Sequence, residues 1–175
     1  MPGELDFSLN ETASPTDLIS GNGRVERLSW VAKQLGTDGF FFFQDGRFSR
    51  YLFQEAIQCF VNGQFIAAIV LGFSFIERSL AGRFFEVGRT DLGRAKIDNL
   101  LKEALERGWV FETEYKLLNE MRELRNSVAH FRDPADFSRP EIRAILAAKQ
   151  PHSMLEDDSR QILDAAIRML IKTSI

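Results

Sequence analysis

Phe65-Ile66-Ala67-Ala68-Ile69-Val70-Leu71-Gly72-Phe73-Ser74-Phe75-Ile76 is the stretch whose reading decides the fold. It opens a helix expected from about Gln64 to Phe85, apolar nearly all round until Glu77-Arg78. A helix of that kind must be covered on more than one side. In a chain of 175 residues the second cover is expected to come from a second subunit. The apolar run is shorter than the roughly 20 residues a bilayer requires, so no membrane span is expected.

Upstream, Ser49 is the expected N-cap of a helix reaching Val61, with Leu52, Phe53, Ala56, Ile57 and Phe60 as its apolar face. Asn62-Gly63 breaks it. Phe40-Phe41-Phe42-Phe43 favours an extended segment packed on the bundle, and Asp45-Gly46 marks a turn. Arg24 to Leu35 predicts a short helix with Val25, Leu28, Val31, Ala32 and Leu35 on one side, ended by Gly36. Residues 1–23 read as a loose polar tail.

Downstream, Gly88 to Gly93 is a connection. Leu92 to Arg107 predicts a helix with Ile97, Leu100, Leu101, Ala104 and Leu105 at the spacing of one buried face. Gly108 stops it, Trp109, Val110 and Phe111 are expected to pack the turn, and Thr113 is the expected cap of the next helix. Pro134 disfavours helix at Asp133, so that helix should end by Phe131 or Arg132. A linker to Arg139, a short helix over Glu141 to Lys149, an interruption at Pro151 and a final helix led by Glu156-Asp157-Asp158 complete the chain. The final helix buries Ile162, Leu163, Ala166, Ile167 and Leu170. No alternating strand pattern and no internal repeat occurs. The expected fold is all-α, an antiparallel up-and-down helical bundle with short accessory helices. The bundle is expected over 49–175, preceded by an accessory helix and Phe-rich segment over 24–48.

A net charge of −3 and a pI near 5.5 argue against a broad nucleic-acid coat but leave room for a local basic cleft. The single cysteine, Cys59, excludes an internal disulfide and a multi-cysteine metal site. Its neighbours Ile57, Phe60 and Val61 predict a buried, inert thiol. Met1-Pro2-Gly3-Glu4 lacks a basic region leading into an apolar run, so a cytoplasmic protein without a signal peptide is expected.

Function is concentrated in Glu123-Leu124-Arg125-Asn126-Ser127-Val128-Ala129-His130-Phe131. At about 100° per residue, Leu117, Met121, Leu124, Val128 and Phe131 form one stripe. Asn119, Asn126 and His130 fall opposite, with Arg125 on the flank. A histidine moves protons near neutral pH, an arginine holds a phosphate or phosphorane with two parallel donors, and an asparagine orients the imidazole. That set suits phosphodiester chemistry. Arg122 and Arg132 would extend a positive strip beside Arg125. His152 reads as a surface loop residue, and no metal-ligand, Walker or serine-hydrolase motif occurs.

Arg125-Asn126-Ser127-Val128-Ala129-His130 resembles the R-N-x-x-x-H form of the arginine–histidine motif of HEPN domains, and the apolar helix ending in Glu77 is similar to one upstream of that motif in the family. The likeness covers about residues 49–172. It implies a homodimeric helical bundle in which the motifs of two subunits meet at a cleft. It implies a metal-independent endoribonuclease without cofactor, of the toxin or phage-defence kind, with an antitoxin or other protein partner. Arg125 and His130 would be the catalytic pair, with Asn126 and Glu77 supporting and Arg78, Arg122 and Arg132 touching RNA. Two alternatives stand beside it: a non-catalytic HEPN-fold module that binds nucleotide or RNA, and a structural helical protein in which Arg125 and His130 cap a helix C-terminus.

Overall fold

The computed structural model describes residues 21–36, 41–44 and 46–173. Seven α-helices and no strand occur among the described residues: α1 (Gly21–Leu35), α2 (Gly46–Val61), α3 (Phe65–Glu86), α4 (Ile97–Glu106), α5 (Glu112–Ala129), α6 (Pro140–Leu146) and α7 (Pro151–Thr173), with a 3-10 turn over Thr90–Arg94 before α4. The expected all-α bundle is what forms. Most of the expected tail, together with Phe40 and Asp45, lies outside the described residues.

The apolar stretch became α3, and the bundle is built around it. Helix α3 packs most extensively on α2 and α7, and also touches α4, α5 and the 3-10 turn. Ile69, Phe73, Phe75, Ile76, Leu80 and Phe84 are buried. Burying each phenylalanine ring contributes about 1.5–3 kcal/mol. The chain's own α2 and α7 supply the cover for which a second subunit was expected. With its 22 residues, α3 is by length and composition long enough to cross a membrane, longer than its uncharged run suggested. In this fold it is the core helix. Gly72 lets α7 close on it: a Cβ there would stand 3.0 Å from Ile162 Cγ2.

The Phe-rich segment packs as expected at Phe43, whose ring lies 5.9 Å from that of Phe53 and 6.1 Å from that of Phe75, whereas Phe42 faces outward. Glycines at positive φ end three helices where the sequence placed the stops: Gly36 (71°), Gly63 (78°) and Gly108 (69°).

Several local expectations need correction. Ser49 is not a cap, since α2 begins at Gly46 and Ser49 is fully buried within it. Helix α1 docks through Arg27 and Val31, while Val25 and Leu28 are exposed. Arg27 Nε donates to the Val61 carbonyl at 3.1 Å, its guanidinium lies 5.6 Å from the Phe65 ring, and Trp30 meets Phe60 edge-on at 5.3 Å. The apolar stem of an arginine packs as a hydrocarbon once its head is bonded. Helix α4 starts at Ile97, with Leu92 in the 3-10 turn. Thr113 does not cap α5; the Phe111 N–H donates to Glu114 Oε2 at 2.8 Å instead, and the Phe111 side chain is exposed. The short helix ends at Leu146.

Pro151 starts α7 rather than interrupting a helix, as its fixed φ allows at a first helical position. Glu156-Asp157-Asp158 therefore sits inside α7. Asp158 is fully buried and accepts two bonds from Arg143 of α6, each 2.7 Å long. His152 is half-buried in the first turn of α7, its ring 4.7 Å from Phe65, not in a surface loop.

Candidate functional site

Helix α5 is held from both sides. Met121 and Leu118 are buried beneath it, and Leu117, Leu124 and Val128 pack on the core. The stripe stops there: Phe131 is 92% exposed, contrary to expectation. The helix ends at Ala129, one residue before His130. His130 has extended backbone (φ −126°, ψ 148°), and its N–H donates to the Asn126 carbonyl at 3.2 Å. The helical face that placed His130 over Asn126 therefore stops short of the histidine. Asn126 links to it through its backbone carbonyl.

Arg125 meets the core helix. Its Nη2 donates to Glu77 Oε1 at 3.2 Å, and its guanidinium lies 5.0 Å from the Phe73 ring centre. The distant pair Arg125 and Glu77 is thus brought together across α3 and α5. Burial pushes the Glu77 carboxyl above its usual range, and the Arg125 charge offsets that only in part. A desolvated carboxylate beside one cation is a charge held in place by the fold.

His130 is exposed at the rim of a cleft of about 300 Å³ between the end of α5, the start of α6 and the start of α7. Arg132 and Arg139 line this cleft with it, along with Ser127, Phe131 and Leu155. Ser127 is buried, and its hydroxyl donates to the Leu124 carbonyl at 2.8 Å. Arg125 is not among the lining residues, so one chain presents the arginine and the histidine of the motif to different surroundings. Nothing in the sequence pointed to Arg139 or to Phe131 as cleft residues. Arg139 reads there as the last linker residue before Pro140, and Phe131 as the next member of a buried stripe.

The positive strip expected beside Arg125 is largely neutralised. Arg122 pairs with Asp98 and with Glu123, the latter at 2.7 Å. Arg132 faces Glu123 at 3.9 Å and Asp136 at 4.0 Å. Arg78 lies over the Phe48 ring at 4.5 Å. Cys59 is half-buried; burial first, then the Glu55 charge, pushes its thiol up, so little thiolate forms there. Among the described residues no three His, Cys, Asp or Glu side chains group as metal ligands. A larger groove of about 860 Å³ runs between α1, Phe41, Phe43 and α2, with Arg24 and Arg50 at its edge, away from the motif.

No family model, no curated protein and no solved structure matches this chain.

Proposed function

We propose that this chain is a cytoplasmic, HEPN-like endoribonuclease that works without a metal ion as a homodimer. The observation that carries the reading is the way α5 ends: Arg125 is braced by Glu77 on the core helix, and His130 is released from the helix at the rim of a cleft. His130 takes the proton of a ribose 2′-hydroxyl, and the 2′-oxygen attacks the adjacent phosphorus. Arg125 stabilises the charge that develops on the phosphorane oxygens, having several guanidinium donors beyond the one bonded to Glu77. The P–O5′ bond breaks, and the leaving 5′-oxygen takes a proton from His130 of the partner subunit. The product carries a 2′,3′-cyclic phosphate. Two motifs at one dimer cleft would also bring an arginine to a histidine, a meeting that the cleft of a single chain does not provide.

The test is cleavage of single-stranded RNA in EDTA by wild type, His130→Ala and Arg125→Ala. Loss of roughly a hundredfold or more in both variants is expected, the scale of removing a general acid–base or an oxyanion donor. Equal activity in all three sinks the assignment. A second reading, RNA or nucleotide binding without turnover, draws on the separation of the motif in one chain: His130 lines the cleft and Arg125, bonded to Glu77, does not. Binding by wild type with no cyclic-phosphate product selects it.

A further inference from the structure

We infer that Phe131 is a base-stacking platform and that the cleft beside His130 takes one unpaired nucleotide of an RNA strand. This rests on the ribonuclease reading and adds the ligand chemistry of its site. At 92% exposure, Phe131 is the most exposed of the large hydrophobic side chains described. Among the described residues its ring joins no apolar cluster, since the apolar stripe of α5 is already spent at Val128. It follows the proposed proton carrier directly and lines the same cleft.

The walls of that cleft divide by chemistry. Ile66, Pro151 and Leu155 join Phe131 as an apolar side; Arg132 and Arg139 form a cationic one. A nucleotide divides the same way, into a flat base that stacks on an aromatic ring and an anionic phosphate. The guanidinium of Arg132 stands 3.9 and 4.0 Å from its two carboxylates, beyond hydrogen-bond reach, and its Nε is buried with no hydrogen-bond partner. The Nη donors, on a side chain 32% exposed, can reach a phosphate oxygen; the buried Nε cannot. Arg139 is partly committed, bonding Glu141 at 3.0 Å through one Nη and keeping its other guanidinium donors; Glu141 is the one carboxylate that lines the cleft itself, while Glu123 and Asp136 face Arg132 from outside it. A cleft of about 300 Å³ is at the small end of ligand sites, room for one nucleotide unit and not for a duplex. Bases in a duplex are already stacked, so the strand read here is single.

The experiment titrates the full chain against a randomised 2′-O-methyl RNA decamer, which lacks the 2′-nucleophile and stays intact. Fluorescence anisotropy is read for wild type, Phe131→Trp, Phe131→Leu and Phe131→Ala, with the molar mass of each by light scattering. Leu and Ala are expected to weaken binding about tenfold, which is about 1.4 kcal/mol for one lost stacked base, and Trp to hold or tighten it. So exposed a side chain can be replaced without unfolding the protein. Wild type and Phe131→Leu binding equally well overturns the stacking role and leaves the RNA reading standing. Wild type failing to bind the decamer overturns that reading and the inference with it. A changed mass at unchanged RNA affinity reassigns Phe131 to a contact between subunits.

Discussion

Replacing Arg143 with methionine leaves the carboxylate of Asp158 buried without its partner. Asp158 has no exposed surface, and both its oxygens are satisfied by the two Nη atoms of Arg143 at 2.7 Å. Removing one member of a buried pair costs about 3–5 kcal/mol, because the remaining charge keeps its desolvation penalty and loses the compensating attraction. For a chain of this size each kcal/mol moves the melting midpoint by about 2–4 °C, so a fall of roughly 6–20 °C is expected. Urea denaturation followed by circular dichroism gives the free energy directly. A double variant, Arg143→Met with Asp158→Leu, removes both charges and should recover most of the loss, since an apolar pair of similar volume is often as stable as a buried ion pair. The reasoning is refuted if Arg143→Met lies within about 1 kcal/mol of wild type, or if the double variant is no more stable than the single. The same pair fixes α6 to α7, so the single variant should also loosen the Arg139 side of the cleft.

Glu77 predicts an inverted pH response. Its folded carboxyl is raised above the ordinary value of 4.5 by burial, so the folded protein keeps that proton to higher pH than the unfolded chain does. Its contribution is most favourable at low pH and is lost as pH rises from the unfolded value through the raised folded one. Denaturation midpoints between about pH 4 and 7 should therefore show wild type losing ground to Glu77→Gln as pH rises, and a constant difference contradicts this. Gly72→Val drives a branched side chain into Ile162, whose Cγ2 lies 3.0 Å from where the Cβ would sit. A loss of about 1–3 kcal/mol is expected from overpacking, and an unmoved midpoint would show that α7 yields freely.

What was legible in the chain was local. Gly36, Gly63 and Gly108 stop helices through a backbone conformation that side-chain-bearing residues resist, and that holds whatever the fold does elsewhere. The apolar run of α3 likewise declares a core helix. Arg27 carried no sign of its docking role, because its partner, the Val61 carbonyl, lies 34 residues away and a hydrophobicity pattern scores arginine as solvent-facing. Asp158 was misread for want of a distant partner: three acidic residues look like a helix start until Arg143 is placed beside one of them. At the site, the sequence marked Arg125 and His130 as partners on a helix. The helix stops one residue early, and so the histidine belongs to the α6–α7 cleft. The Arg125–Glu77 contact spans 48 residues; the family resemblance implied only that Glu77 supports the site, and the spacing of the chain carried no sign of the contact.

The order in which the core is covered also bears on how the protein is made. Helix α3 is complete at Glu86, but α7, which seals one of its sides, begins only at Pro151 and ends at Thr173. At ordinary rates of synthesis that leaves an interval on the order of ten seconds. Throughout it, the ribosome-bound chain displays a 22-residue helix containing an 18-residue window of mean hydropathy 1.6, with the Gly72 notch empty. To a factor that reads nascent chains by hydrophobicity, this segment has the length and mean hydropathy of a membrane span, though Glu77 and Arg78 interrupt its apolar run, until its last helix arrives. A product cut short before Pro151 keeps the α7-facing side of that helix uncovered.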